Sequence, residues 1–350
     1  MNSAAREKQI QQFLASHGHR DSRRSHLTGD ASTRAYELIK PAGKPSIILM
    51  NAPPQPDGPP ILNGRSYSAI AHLAEDMRAF VGVAERLKSN GFRVPEIIAH
   101  DLENGLLLIE NLGEGGIVDA ASKPIAERYM AAMETLAQIH NCQWEAQVGL
   151  PGGDVHTLPE FDHDAILIEV DLLAKWYAPY RLGKPISNQQ MDAFTAIWLD
   201  LMPTIAHAEQ SILLRDFHSP NIIWMDGAKG TDRTALIDFQ DALLGPTAYD
   251  VASIAQDARI AIDAELEAAL VAQYVQHRHS LDVEAFSQAY AVLATQRVTK
   301  VLGIFVRLSQ RDHKHVYLDH LPHVEAYLKR SLKHPLLSDY RKWLQEILKF

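Results

Sequence analysis

Apolar positions run in short alternating stretches through the first third of the chain and in helical spacing through most of the rest. Residues 4–17 place Ile10, Phe13 and Leu14 on one face of a helix. His26 to Ile39 reads as strand, small-residue turn and strand, with Tyr36, Leu38 and Ile39 packing inward. Residues 46–50 form the next strand, and a loop with five prolines follows from Asn51 to Pro60. Residues 68–90 predict one long amphipathic helix closed by Gly91. Residues 94–99 and 105–109 predict two strands around a turn at Asp101–Asn104. Beyond this point helices are expected over 125–142, 163–178, 188–208, 248–259, 263–279, 282–308 and 321–348. They are interrupted by an apolar run, Ile212–Leu214, and two short strands, 222–225 and 234–237. The pattern is α+β: a small N-terminal sheet with a long helix, then a larger helical part.

Composition narrows the class. A chain of 350 residues fits one bilobal unit or two domains, and 46% apolar with 22% charged residues is the balance of a globular protein with a sizeable core. No run of about 18 apolar residues is present, so no membrane span is expected. The first residues are polar and amphipathic, unlike a signal peptide. The lone Cys142 excludes an intramolecular disulfide and points to a reducing, cytoplasmic setting. A net charge of −9 argues against a nucleic-acid partner, and a monomer is favoured.

The chemistry concentrates between Ser211 and Ser253. The apolar run delivers Arg215 and Asp216 onto a loop, Asn221 follows five positions later, and the second short strand ends on Asp238. Two carboxylates and an amide are poorly suited to a core, where each buried polar group needs a partner. They suit a hard cation such as magnesium, which takes oxygen ligands and keeps phosphates and waters in its shell. An ordinary hairpin with polar turn residues would explain the Asp–Asn spacing alone. It leaves the strand ending on Asp238-Phe239 and the later Pro246-x-x-Tyr249-Asp250 unexplained.

The D-x4-N segment with its downstream Ile237-Asp238-Phe239 resembles the catalytic segment of protein-kinase-like phosphotransferases, in the aminoglycoside phosphotransferase and choline kinase branch. The resemblance implies a bilobal fold, with residues 1–112 as the nucleotide lobe and 113–350 as the catalytic and substrate lobe. It implies ATP and Mg2+ as cofactors, Asp216 as base with Arg215 beside it, Asn221 and Asp238 as metal ligands, and Asp250 as a structural brace. Leu214 stands where the protein kinases carry a His. Met50 falls about where their nucleotide-phosphate Lys is expected. Arg34 is either its substitute or a solvent-facing strand residue. Gly29, Ser32 and Thr33 in the first turn would approach phosphate oxygens, and Glu110 to Leu112 would meet the adenine through backbone groups. Gly29 to Arg34, Leu49 to Pro54, Asp216 to Asn221, Ile237 to Ala242 and Gln296 to Leu308 further resemble bacterial kinases acting on the anomeric hydroxyl of N-acetylmuramate and N-acetylglucosamine. The small-molecule sugar would then meet residues drawn from Glu169, Arg259, Arg297 and Arg307, unless those cations pair with acids of the C-terminal half. An aminoglycoside enzyme would need an acidic pocket. A choline kinase would need an aromatic cage, for which Trp176, Tyr177 and Tyr180 are available. A binding module without catalysis is the remaining alternative, favoured by the absent Lys.

Overall fold

Five antiparallel strands in the order β1-β2-β3-β7-β6 build the N-terminal sheet of the computed structural model, which describes residues 3–27, 34–54, 58–74 and 76–350. These strands are β1 (Arg23–Leu27), β2 (Ala35–Lys40), β3 (Ile47–Asn51), β6 (Ile97–Asp101) and β7 (Leu106–Glu110). The small pair β4 (Pro60–Leu62) and β5 (Arg65–Ser66) lies between β3 and β6 in sequence. Alternation along the strands gives the sheet two apolar faces. Helix α1 (Ser3–Ser16) covers one, where Ile10, Phe13 and Leu14 pack on Ile39, Leu49, Leu106 and Leu108. Met50, Leu107 and Ile109 face the other way, into the main core that contains Phe80 and Val83.

The helix expected over 68–90 is interrupted. Helix α2 (Tyr67–Ile70) stops, and α3 (Arg78–Ser89) begins after a connection in which His72 has φ +51°. No Gly or Pro marks the break. Its cause is long-range: Ala71 O accepts from Arg215 Nη1 at 2.6 Å, and Ala74 N donates to Asp241 Oδ1 at 2.7 Å. Those backbone groups serve distant partners in place of a helical ladder. The interruption also lets α2 leave the sheet, so that Ile70 and Ala71 pack on Ile168 of the helical part.

After the linker come α4 (Ala126–Asn141), the strand pair β8 (Gln147–Gly149) and β9 (Val155–Thr157), and α5 (His163–Leu172). The expected helix 163–178 continues from α5 as a π-helical turn at Leu173–Tyr177 and then α6 (Ala178–Leu182). Helix α7 (Asn188–Ala206) leads to β10 (Gln210–Leu213), whose partner β13 (Leu243–Pro246) gives no alternating signal in the sequence. The hairpin β11 (Ile222–Trp224) and β12 (Thr234–Leu236) lies between them. Helices α8 (Ala248–Ala255), α9 (Ala264–Gln276), α10 (Val283–Asp312), α11 (Leu321–Ser331) and α12 (Ser338–Leu348) complete the chain. The helix expected over 321–348 is thus two, separated by a 3-10 turn at Pro335–Leu337.

Helix α10 is long and apolar enough to cross a bilayer, yet 89% of its most apolar stretch is buried inside the protein. It is the central column of the helical part. Gly303 fits there because a Cβ would meet the Leu172 carbonyl carbon at 2.2 Å. That close approach brings α5, and with it Glu169, against the polar face of α10.

Candidate active site

The polar site begins where β10 ends. Leu214 and Arg215 donate backbone N–H groups to the buried Asp250 carboxylate on α8, the second at 2.8 Å. Asp250 is therefore the brace of this loop. Arg215 adopts φ +70° and Asp238, at the end of β12, adopts φ +61°. A left-handed backbone at non-Gly residues costs about 1 kcal/mol or more and survives only where its surroundings hold it. Here both residues turn the chain at one end of the two strand pairs. Asp257, which the sequence pattern did not single out, holds the loop from the other side, accepting from Ser219 N at 2.9 Å and Tyr129 OH at 3.1 Å. The available signal was an Asp among the mostly apolar residues of Val251 to Ile262, where a buried carboxylate needs donors.

Asp216, Asn221 and Asp238 converge as expected. Asn221 Nδ2 lies 3.0 Å from the Asp216 carbonyl oxygen and 3.4 Å from Asp238 Oδ2. With Nδ2 committed, the amide oxygen is the atom Asn221 has to offer a hard cation. Asp238 also accepts from Arg34 Nη1 at 3.1 Å and Gln240 Nε2 at 3.1 Å, and Asp241 Oδ2 lies 3.9 Å from Arg34 Nη2. Burial pushes the Asp238 carboxyl up, Arg34 pulls it down, and the neighbouring Asp216 and Asp241 leave it net raised. Crowded carboxylates of this kind are what a divalent cation relieves. Among the described residues no three His, Cys, Asp or Glu side chains form a metal cage. The set fits magnesium, which completes its shell from phosphate oxygens and water.

The Asp216 side chain is 38% exposed and carries its carboxylate to the cleft. Burial raises its pKa, but His218, Lys300, Arg215 and Arg297 together outweigh that and hold it below the usual carboxylate range. His218 is pressed down to about 4, by burial first and then by Arg259, whose Nη1 sits 3.3 Å from both ring nitrogens. It is neutral at pH 7 and packs against the loop, in line with a bracing part.

Arg215 was expected beside the base and Glu169 at the substrate. The structure brings them together as a buried pair and does not put either side chain at the reacting end. Glu169 is 0% exposed, with one oxygen taking Arg215 and Lys300 Nζ and the other taking Gln296 Nε2 at 2.9 Å. Burial alone would raise its carboxyl, and Lys300, Arg215 and Gln296 bring it net down, so it is a carboxylate. Arg307 stacks over Tyr67, 5.1 Å from the ring centroid. Arg297 is buried on α10, and its Nε and Nη1 make no hydrogen bond.

Of the expected nucleotide contacts, Gly29, Ser32 and Thr33 lie outside the described residues. Arg34 reaches Asp238 across 204 positions of sequence, which removes the solvent-facing alternative for it. Met50 is 2% exposed and packs in the core, so it offers no cation. The Glu110 carboxylate is taken by Arg93, leaving only its backbone to a base, and Leu112 is half-buried. Gly115 follows the linker, and a Cβ there would meet the Trp224 carbonyl oxygen at 2.4 Å. Its own carbonyl accepts from Trp224 N at 2.8 Å, tying the linker to β11. Phe239 stacks on Phe80 of α3, centroids 4.8 Å apart.

Comparison with known proteins agrees with this geometry. An N-acetylmuramate/N-acetylglucosamine kinase of Caulobacter vibrioides is 32% identical over 97% of this chain and 96% of its own. A kinase of the same name from Pseudomonas putida is 28% identical over 91% and 87%. Among solved structures, a microcompartment-associated aminopropanol kinase superposes with a TM-score of 0.60 at 14% identity, covering 95% of this chain and 98% of its own. A choline kinase of Streptococcus pneumoniae gives 0.57 at 15%, covering 93% and 99%. The profile of the phosphotransferase enzyme family matches residues 24–283, and with it the sheet, the linker and the Asp216–Asp238 segment: this chain belongs to that family.

Proposed function

We propose that the protein is a cytoplasmic, ATP-dependent kinase of the amino sugars N-acetylmuramate and N-acetylglucosamine, acting on the anomeric hydroxyl. The observation that carries the acceptor class is the charge beside Asp216. Lys300, Arg215 and Arg297 all act on its carboxyl; the buried Glu169 answers Arg215 and Lys300 and leaves Arg297 as an unanswered cation beside Asp216. A polycationic aminoglycoside would be repelled there, whereas a neutral or carboxylated sugar is not. Of the aromatic residues available to a quaternary ammonium, Tyr177 is withdrawn: it is buried, with its OH donated to Glu325 at 2.6 Å. The names of the relatives, which span nearly the whole chain, point the same way.

In this reading Asp216 takes the proton of the C1 hydroxyl as that oxygen attacks the γ-phosphorus. The bond to the β-phosphate oxygen breaks, ADP leaves, and the proton passes from Asp216 to solvent. The C1 hydroxyl is the most acidic of the sugar, so one positioned carboxylate suffices. Asn221 and Asp238 would hold the magnesium ion, which neutralises phosphate charge. Arg215 and Glu169 are positioning residues that hold the loop. Residues 1–112 act as the nucleotide lobe and 113–350 as the acceptor lobe. Backbone groups near Glu110 and Leu112 meet the base, and the turn at Gly29, Ser32 and Thr33 meets the phosphates.

Two-dimensional phosphorus–proton NMR of the product tests this: a C1 phosphate couples to the anomeric proton. Coupling to the C6 protons, or turnover only with aminoglycosides or choline, would overturn it. Arg34 supplies a second check. When the nucleotide and its metal take over Asp238, its guanidinium is freed to meet phosphate oxygens. Arg34→Ala should raise the KM for ATP about 10–100-fold, the scale of a lost charge-assisted hydrogen bond, with Arg34→Lys intermediate. An unchanged KM for ATP in both variants would remove Arg34 from the nucleotide site.

A further inference from the structure

Among the charged side chains near Asp216, Arg297 has a different surrounding. Arg215 and Lys300 share Glu169, and the Arg259 guanidinium lies against His218. Arg297 is 4% exposed, and two of its guanidinium nitrogens are buried without a hydrogen bond. A buried guanidinium is costly unless its donors are used, and a fold that keeps one keeps it for a partner that arrives later. The chain could have paired it: Gln296, the preceding residue, donates its side-chain amide to Glu169.

The position of the charge separates two possible partners. Arg297 bears on Asp216, His218, Lys300 and Tyr249, and on α10 it stands one turn before Lys300, which contacts Glu169 and Tyr249. The principal charges acting on Asp238 are Arg34, Asp216 and Asp241. The phosphates are thus served by Arg34, and Arg297 stands on the acceptor side.

We infer that Arg297 is the specificity residue of the acceptor site, where its guanidinium binds the carboxylate of an acidic amino sugar. This rests on the amino-sugar reading above. The planar fork of an Arg matches a carboxylate in two parallel hydrogen bonds, so an acceptor bearing a lactyl carboxylate gains from it what a neutral one does not. A fork pairs Nη2 with either Nε or Nη1, so the same carboxylate would satisfy one of the donors that the free protein leaves unused.

The test is a comparison of kcat/KM for N-acetylmuramate and N-acetylglucosamine in the wild type, Arg297→Gln and Arg297→Lys. In Arg297→Gln the ratio of the first to the second should fall about 10–100-fold, chiefly through the KM for N-acetylmuramate. Arg297→Lys keeps the charge without the fork and should give a smaller fall of the same sign. Loss of its charge beside Asp216 would lower both sugars by a common factor, which the ratio cancels. A merely structural role would move both sugars alike and leave the ratio constant, which would overturn the inference while sparing the sugar-kinase reading. If the Gln variant fails to fold, an unchanged ratio in the Lys variant overturns it equally. Wild-type turnover of neither sugar would overturn both.

Discussion

Asp216→Asn should lower kcat by about 10²–10⁴ while the KM for ATP changes little, the range for loss of a positioned general base. The fold should survive. The side chain is 38% exposed, and what the loop takes from residue 216 is its backbone carbonyl, which accepts from Asn221 Nδ2 at 3.0 Å. The pH profile adds a sign. A carboxyl held below its ordinary value stays deprotonated as pH falls, so the wild-type enzyme keeps its base in working form throughout the neutral range. The acid limb of kcat/KM that belongs to this group should lie below the usual carboxylate range. Steady-state kinetics from about pH 4.5 to 8 should therefore show no acid limb from this group, and a limb inside that window assigned to Asp216 would contradict the lowered carboxyl. A large loss of ATP affinity with kcat preserved would move Asp216 out of the role of base.

Asp238→Asn should lose activity on a scale of about 10³ or more, because charge neutralisation at the transferring phosphate supplies several kcal/mol. Its effect on the ligand-free protein should be the reverse of damage. Burial and the charges of Asp216 and Asp241 raise the Asp238 carboxyl despite Arg34, so the ionised group is disfavoured in the fold at neutral pH. A raised carboxyl favours the folded state only at low pH, and that contribution is gone at pH 7. The neutral Asn should therefore keep or increase the ligand-free Tm. The increment in Tm produced by magnesium with ADP should shrink or vanish, since only a ligand that binds the folded state adds stability. Thermal unfolding with and without magnesium and ADP measures both. An undiminished increment would take Asp238 out of the metal site.

The parts of this site that the sequence discloses are those that lie close in the chain. Asp216 and Asn221 stand five residues apart on one loop, Asp238 ends the next strand, and Asp250 begins the helix after it. Their spacing is enforced by a local hairpin and survives as a readable pattern. Arg34 was legible only as one of two possibilities, because its contact with Asp238 spans 204 positions and no periodicity encodes it. The break between α2 and α3 left no trace, since its cause is hydrogen bonds to Arg215 and Asp241 and not a residue that resists helix. Glu169 stands out in the sequence as an acid among apolar residues. That its partners are Arg215, Lys300 and Gln296 depends on the packing of α5 on α10, which no local pattern carries. The strands β8, β9 and β13 are three or four residues long, too short for alternation to register.

The interruption after α2 has a mechanical consequence. Bilobal enzymes commonly open by swinging one lobe about the segment that joins it to the other. Here the N-terminal sheet is fastened at a second place. Ala71 O and Ala74 N are hydrogen-bonded to Arg215 and Asp241, Arg65 is ion-paired with Asp164, and His72 Nε2 lies 3.0 Å from Asp162 Oδ2. A sheet held at the linker near 110–115, again at 65–74, and through Arg34 to Asp238 is not free to swing about the linker alone. Opening the cleft then has to unfasten a clasp as well as bend a strap.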